Sequence, residues 1–457
     1  MSDPKLKRNL SFLSMIAIAS GAVIGGWLAE APYWFSVTGA GAAFIFPILA
    51  IFLIPVGLSF AELTAMLPFS SAVDIWTTNA YGPKAGWAAQ WMMFLIQVVE
   101  PPMMAFIFVT ALNFFIPIPQ NMVMWVAIGI VVAWYILSNF NISLTGSLAT
   151  IFFFTMVVIS LIVAASFFFS GHWSISNISN HGGFFPKGFN GIFIAFAVFS
   201  LKFIGFEMTP TMIEETNFPP EKMWKVILSA LFVPALLYLI VVLAIGGMGT
   251  WNEISNMSMP EPELITKFGL PGIIGIAAII AGILHALTTL MGFWVSSARV
   301  LYGAAQLNQL PKFFMKLNKY GQPYIANIVV LIFSVFFCFF TGENWVQYIY
   351  AVSCIAAGIV YSVCCLDCLI LRKKHPEWER PYKAPGGDAL FIVGIIVGIW
   401  IIIGSSLELP LAGYASLLIY FLVGVVLYLF MEYYRKKDPE AHKLITLTPA
   451  DKNKVDL

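Results

Sequence analysis

The chain has 457 residues, 60% of them hydrophobic and 10% charged, whereas soluble domains carry about 25% charged residues. That balance excludes a soluble domain and leaves an integral membrane protein, while a formal net charge of +1 offers no basic surface for nucleic acid. The five cysteines (Cys338, Cys354, Cys364, Cys365 and Cys368) all fall in apolar stretches of the last third and read as small core residues.

A basic start, "KLKR", leads into an apolar segment too long for a signal-peptide core and without a cleavage site after it, so it is expected to persist as the first span. With about 20 apolar residues needed per crossing, twelve spans are predicted: 11–36, 40–66, 87–113, 122–139, 147–170, 190–212, 225–247, 272–303, 324–341, 346–371, 389–407 and 413–433. If the N-terminus is cytoplasmic, 21 of the 24 Lys and Arg fall in cytoplasmic segments, Lys187 and Lys267 lie outside, and Lys202 is inside a span. By the positive-inside rule both termini are therefore expected in the cytoplasm. Lys5, Lys7 and Arg8 open this series of clusters, and Arg435 to Lys437 nearly close it. The two longest outer connections, 171–189 and 248–271, are rich in Gly, Asn, Ser and Pro and are expected to carry short surface helices or lids.

Two spans are interrupted. In the first, "AIASGAVIGGWLAEAPYW", Gly21, Gly25 and Gly26 crowd together, each costing about 1 kcal/mol relative to Ala inside a helix. In the sixth, "FSLKFIGFEMTP" places Lys202, Gly205, Glu207 and Pro210 within nine residues. Glycines alone would more often mark close packing between helices. Matching breaks five spans apart point instead to a midplane binding site between inverted repeats. The expected organisation is a cytoplasmic segment 1–10, a first repeat over 11–170, a second over 190–371, two appended spans over 389–433 and a cytoplasmic tail over 434–457. A break exposes backbone N–H groups at a half-helix N-terminus, an arrangement suited to an anion such as a carboxylate.

Five stretches, in order, resemble the amino acid, polyamine and organocation (APC) superfamily of secondary transporters. They are "SGAVIGGW", "LSFAELTAMLPFSSAVDIWTTNAYGPKAGW", "FIGFEMTPTMIEETNFPPEKMWKVI", "SSARVLYGAAQLNQLPKFFMKLNKYGQPY" and "RKKHPEWERPYKAPGG". The resemblance implies an all-α LeuT-type fold of five plus five inverted spans, with spans 1 and 6 broken, moving amino acids or related amines by alternating access. It implies a substrate carboxylate held by backbone N–H groups around Gly21, Ala22, Val23, Gly25 and Gly26, and an amino group received by carbonyls from Ser200 through Lys202 and Phe203 to Ile204. Gly205 and Phe206 complete that site, with Phe203 and Phe206 as pocket walls or gates. The sequence departs from the family in following Gly25 with Gly26 and Trp27, in lacking a lysine in span 5, and in placing Lys202 in span 6.

Ionisable groups inside spans are costly and mark substrate or ion paths by default. Glu100, Lys202 and His285 are expected near mid-depth as coupling residues, with Lys202 paired to Glu100. Glu30 is expected in the outer half and, with Trp27, at the gate; Trp27 and Trp34 could equally be interfacial belt residues. For each the plainer role stays open: a carboxyl satisfied beside Pro101 and Pro102, a structural lysine pair, a histidine that only bonds neighbouring helices. No nucleophile, metal-ligand or phosphate-loop motif is present, so neither catalysis nor a cofactor nor a metal is expected. The expected function is secondary transport of a zwitterionic amino acid across the cell membrane, coupled to protons or run as exchange. The alternatives are a polyamine or other organic amine carrier and, in a different class, a channel or a transporter-like sensor. The expected partners are the substrate, protons and the lipid bilayer; the oligomeric state is left open.

Overall fold

The computed structural model describes residues 8–140, 142–340 and 345–455, so Lys5 and Lys7 lie outside the described residues. Among these residues the chain is helical without a β-strand, apart from isolated bridges between Leu10 and Thr216 and between Leu317 and Pro323. Among the described residues ten helices are long and apolar enough to cross a membrane and two, Phe12–Ile24 and Tyr324–Cys338, are shorter apolar helices; taken in chain order they group into the twelve segments numbered here as spans. Span 1 is two helices, 1a (Phe12–Ile24) and 1b (Trp27–Thr38). Spans 2 to 5 are Ala42–Met66, Pro83–Phe115, Gln120–Ser138 and Ile142–Phe168. Span 6 begins as Gly188–Val198 and continues in tighter 3₁₀ turns, Phe199–Phe203 and Phe206–Glu215. Spans 7 to 12 are Met223–Gly246, Gly272–Gln306, Tyr324–Cys338, Trp345–Lys374, Gly387–Glu408 and Leu411–Lys437. Each predicted span is present, the sequence bounds differing from the helix ends by a few residues.

Helices form here because a chain in hydrocarbon must satisfy every backbone N–H and C=O within itself. Local signals then set the ends. Ser11 caps span 1a by accepting the Ser14 N–H at 3.1 Å, and Pro83 opens span 3 at a first-turn position where its missing N–H is harmless. Span 3 passes through Pro101 and Pro102 without a break.

Burial separates the centre of the bundle from its rim. In the most apolar window of span 3, 94% of residues are buried, against 11% in span 4, which places span 3 in the core and span 4 at the lipid boundary. Spans 5, 11 and 12 also turn large apolar side chains outward, among them Ile151, Val158, Leu418 and Val426. Span 1a packs on spans 5, 7 and 8, span 8 also packs on span 3, and span 10 is sandwiched between spans 3 and 11. All five cysteines are buried and none forms a disulfide.

Two ends of the bundle differ. One, the basic end, gathers the arginines: Arg299 grips Glu215 through two bonds of 2.9 and 2.8 Å, and Arg372 grips Glu62 at 2.8 and 2.6 Å. The entering chain is tied there too, Leu10 N–H donating to the Glu215 carbonyl at 2.9 Å. The tail after span 12 returns across the same end, its Lys443 and Leu447 carbonyls accepting from Asn308 and Asn79 at 2.6 and 3.0 Å. At the far end the two long connections carry the short helices Ser176–Ser179, Trp251–Ser255 and Pro260–Lys267. A cavity of about 400 Å³ opens there beside span 1b, lined by Ala29, Pro32, Tyr33, Thr110 and Gln347 among others.

Candidate functional site

Where span 1a stops, the Gly21 carbonyl still accepts the Gly25 N–H at 3.4 Å, while those of Ala22, Val23 and Ile24 lose their intrahelical partners at a depth where no water replaces them. Two hydroxyls from other spans take over. Thr289 of span 8 reaches the Gly21 and Ala22 carbonyls at 3.1 and 3.3 Å, and Tyr238 of span 7 reaches those of Val23 and Ile24 at 2.8 and 2.6 Å. The turn itself needs glycine at position 25, where φ is +57° and an added Cβ would stand 2.5 Å from the Lys202 ammonium nitrogen.

Span 6 breaks against the same place. Gly205 has φ +141°, a region open essentially to glycine alone, and its missing Cβ leaves room for the first break: it would lie 3.0 Å from the Val23 nitrogen and 3.2 Å from the Ala22 Cβ. The two interruptions therefore touch reciprocally, Gly25 on Lys202 and Gly205 on Ala22 and Val23. Beyond the second break Glu207 folds back and accepts the Gly205 N–H at 2.8 Å, Gln97 Nε2 at 3.1 Å and the Tyr361 hydroxyl at 3.3 Å. A carboxylate at a helix N-terminus is favoured by the local dipole as well.

The charges at this crossing are buried. Lys202, 2% exposed, pairs with Glu30, fully buried, at 2.5 Å. This corrects the expected pairing of Lys202 with Glu100, whose Oε1 instead accepts the Ser353 hydroxyl of span 10 at 2.9 Å. The reason is the reciprocal contact of the breaks. Glu30 stands on the first turn of span 1b, Lys202 on the last turn before Ile204, and a long lysine side chain bridges the offset in depth that sequence counting assigns them. The rings of Trp34 and Tyr238 lie 5.8 Å each from the ammonium, within cation–π range. Trp34 is held in place by donating its Nε1–H to the Tyr350 hydroxyl at 2.8 Å. The Glu30 carboxylate is buried, and beside Lys202 its further hydrogen-bond donor is the Tyr350 hydroxyl, the same hydroxyl that accepts from Trp34.

The structure thus brings Gly21, Ala22, Val23, Gly25, Lys202, Gly205 and Glu30 together. The remaining expected site residues lie around or away from this crossing. Gly26 packs under Ile107 of span 3. Ser200 turns to span 10, bonding the Ala197 carbonyl at 2.6 Å and Cys354 at 3.3 Å. Phe203 packs towards Phe46, and Phe206 stacks on Tyr361 at 5.4 Å with Phe60 edge-on, sealing the side towards the basic end. Trp27 faces the His285 ring at 5.8 Å, and its own Nε1–H has no hydrogen-bond partner among the described residues. Among the described residues His285 makes one hydrogen bond, with Ser160 at 3.4 Å through Nε2. Sequence reasoning did not single out Tyr238, Tyr361 or Gln97. Their signal is a lone polar atom in an otherwise apolar run, as in "ALLYLIVVLAI" for Tyr238, and such an atom must find a partner when buried.

Among the described residues no cluster of three or more His, Cys, Asp or Glu could hold a metal ion. Two broken helices crossing at a buried ion pair inside a twelve-span bundle define the class of helical membrane transporters with discontinuous spans. The family model described as amino acid permease matches residues 10–428, and the chain belongs to that family. It is 25% identical to a D-serine/D-alanine/glycine transporter of Escherichia coli strain K12, covering 89% of this chain and 90% of the relative. It is 25% identical to the gamma-aminobutyric acid permease of Bacillus subtilis strain 168, covering 96% of each. A branched-chain amino acid permease of the same strain is 22% identical over 93% of each chain.

Proposed function

We propose that this protein is a secondary carrier that moves a zwitterionic amino acid across the cell membrane by alternating access, with both termini in the cytoplasm. The observation that carries the reading is the meeting of the two breaks, at a point sealed from both ends. Towards the far end Tyr33 lines the cavity and packs at 5.3 Å on Tyr350, the anchor of Trp34; towards the basic end stand Phe206, Phe60 and Tyr361. The substrate carboxylate binds at the first break, beside the start of span 1b. The basic end is the cytoplasmic one, since Lys and Arg are retained on that side.

Coupling is to protons or to exchange rather than to sodium. Thr289 already donates to the Gly21 and Ala22 carbonyls, so span 8 is bridged to span 1 without a cation. The ionisable side chains buried around the crossing are Glu30, Lys202, Glu100 and Glu207.

Uptake into proteoliposomes tests the reading. Saturable accumulation of a labelled amino acid, unchanged when sodium is replaced by choline at fixed pH, is expected. Uptake inhibited only by putrescine-like amines would sink the amino acid assignment, non-saturable flux would indicate a channel, and binding without flux a sensor. Transport that vanishes in choline would end the proton or exchange assignment.

A further inference from the structure

We propose that the groove between spans 3 and 12 at the basic end binds an anionic phospholipid of the adjoining leaflet, with its phosphate at Lys84 and an acyl chain laid over Trp87 and Trp91. A cavity of about 370 Å³ opens there, walled by span 3 on one side and span 12 on the other. Its floor is a pair of stacked indoles, Trp87 and Trp91, with ring centroids 5.5 Å apart. Both indole N–H groups are already spent on span 12, donating to the Gly424 and Tyr420 carbonyls at 3.2 and 3.1 Å. What the rings offer the groove is therefore apolar surface. Gly424 makes this seating possible, since an added Cβ there would lie 2.3 Å from Trp91 Nε1. Ala88 and Val425, both exposed, border the open side, on the face where span 12 turns its large apolar side chains outward.

The mouth of the groove has the opposite character. Lys84, in the first turn of span 3, is exposed and lines the cavity, and among the described residues it has no acidic partner. Both walls are pinned to one corner: the Pro83 carbonyl accepts Gln309 Nε2 at 2.9 Å, and Arg435 of span 12 donates to the Asn308 carbonyl at 3.3 Å. Arg435 is paired with Glu432 at 3.2 Å and lies over the Tyr428 ring. That pair is neutral, so Lys84 carries the uncompensated charge at the mouth. From Lys84 to Trp91 the groove runs about 10 Å along span 3, at 1.5 Å per residue, against about 15 Å for the hydrocarbon of one leaflet. An apolar trough closed at its wet end by one ammonium fits an amphiphile with a single anionic head. A water-soluble metabolite would need polar partners along its length. Basic pockets between spans on the cytoplasmic side take anionic head groups in this way, and Trp87 and Tyr428 are the residue types enriched at headgroup level.

The test is native mass spectrometry of the full-length protein, delipidated in detergent and titrated with dioleoyl phosphatidylglycerol, dioleoyl phosphatidylcholine or oleate. One phosphatidylglycerol is expected to stay bound at concentrations where phosphatidylcholine does not. Lys84→Gln should weaken its retention about fivefold, the worth of one lysine at an anionic surface, and Lys84→Arg should keep it. Ala88→Phe fills the trough from an exposed position and should weaken retention while the protein elutes and melts as the parent does. Lys436→Gln removes a charge at the same end but outside the cavity and should leave retention unchanged. Equal retention of the two phospholipids would overturn the proposal, as would equal losses in Lys84→Gln and Lys436→Gln, which would mean diffuse attraction to the basic end. Oleate displacing phosphatidylglycerol at equal concentration would make the occupant a free fatty acid and overturn it too. So would a parental dimer that Ala88→Phe turns into a monomer, since the groove would then be an interface between copies of the chain.

Discussion

The Tyr238 hydroxyl lies 2.6 Å from the carbonyl oxygen of Ile24, the last residue of span 1a. A helix end that would be unsatisfied at membrane depth is closed by a side chain from span 7, with the ring of the same tyrosine beside the Lys202 ammonium. Tyr238→Phe keeps the ring and removes the cap. A buried acceptor left without its donor costs about 1–3 kcal/mol, so a lower melting temperature is expected with the ring contact intact. Thr289→Val should act likewise through Gly21 and Ala22. An unchanged melting curve for both variants would show that these carbonyls find other partners.

The reciprocal contact of the breaks makes two glycines hard to replace. Gly205→Ala places a Cβ against the Val23 nitrogen at a φ of +141°, which costs on the order of 1–3 kcal/mol. Gly25→Leu drives its side chain into the Lys202 ammonium. The first variant should lower thermal stability, and the second should abolish binding of a labelled amino acid while expression persists. Parental affinity in Gly25→Leu would remove the first break from the site.

At the basic end Arg299 and Glu215 are both buried and joined by two hydrogen bonds, with Gln322 accepting a third from the guanidinium at 3.1 Å. Arg299→Met should destabilise by about 3–5 kcal/mol because it strands the Glu215 charge. Adding Glu215→Gln should recover most of that loss. Thermal melts of the two variants check this, and a double variant as unstable as the single one would refute the pairing argument.

Asp74, on the short helix Val73–Tyr81 between spans 2 and 3, has its acidity weakened by burial, its pKa pushed up to about 7, although Thr78 and Gln309 hydrogen-bond to it. Its folded pKa exceeds the unfolded one, so the folded state binds the extra proton. Stability attached to this group is present at low pH and is lost as pH rises towards about 7. Asp74→Asn resembles the neutral acid and should flatten the profile, raising the melting temperature at pH 8 more than at pH 5. Parallel profiles for the variant and its parent would contradict the assignment.

Much of this architecture was legible in the chain before folding was considered. Twelve spans follow from the length of apolar runs, because hydrocarbon leaves the backbone little choice but helix. The interruptions at Gly25 and Gly205 follow from glycine and charge placed where neither suits a lipid-facing helix. The sequence also marked Glu30, Glu100 and Lys202 as functional candidates, since ionisable groups are too expensive to bury without purpose. Which of them meet was not legible. Counting residues from a span end estimates depth, but not the rotation of a helix or the direction of a long side chain. Depth counting therefore favoured Glu100 as the partner of Lys202, while the crossing of the breaks brought Glu30 to 2.5 Å and left Glu100 to Ser353. The caps supplied by Tyr238 and Thr289 belong to the same category. They join residues more than 200 positions apart, and only the packing of spans 7 and 8 against span 1a decides which buried carbonyl each hydroxyl reaches.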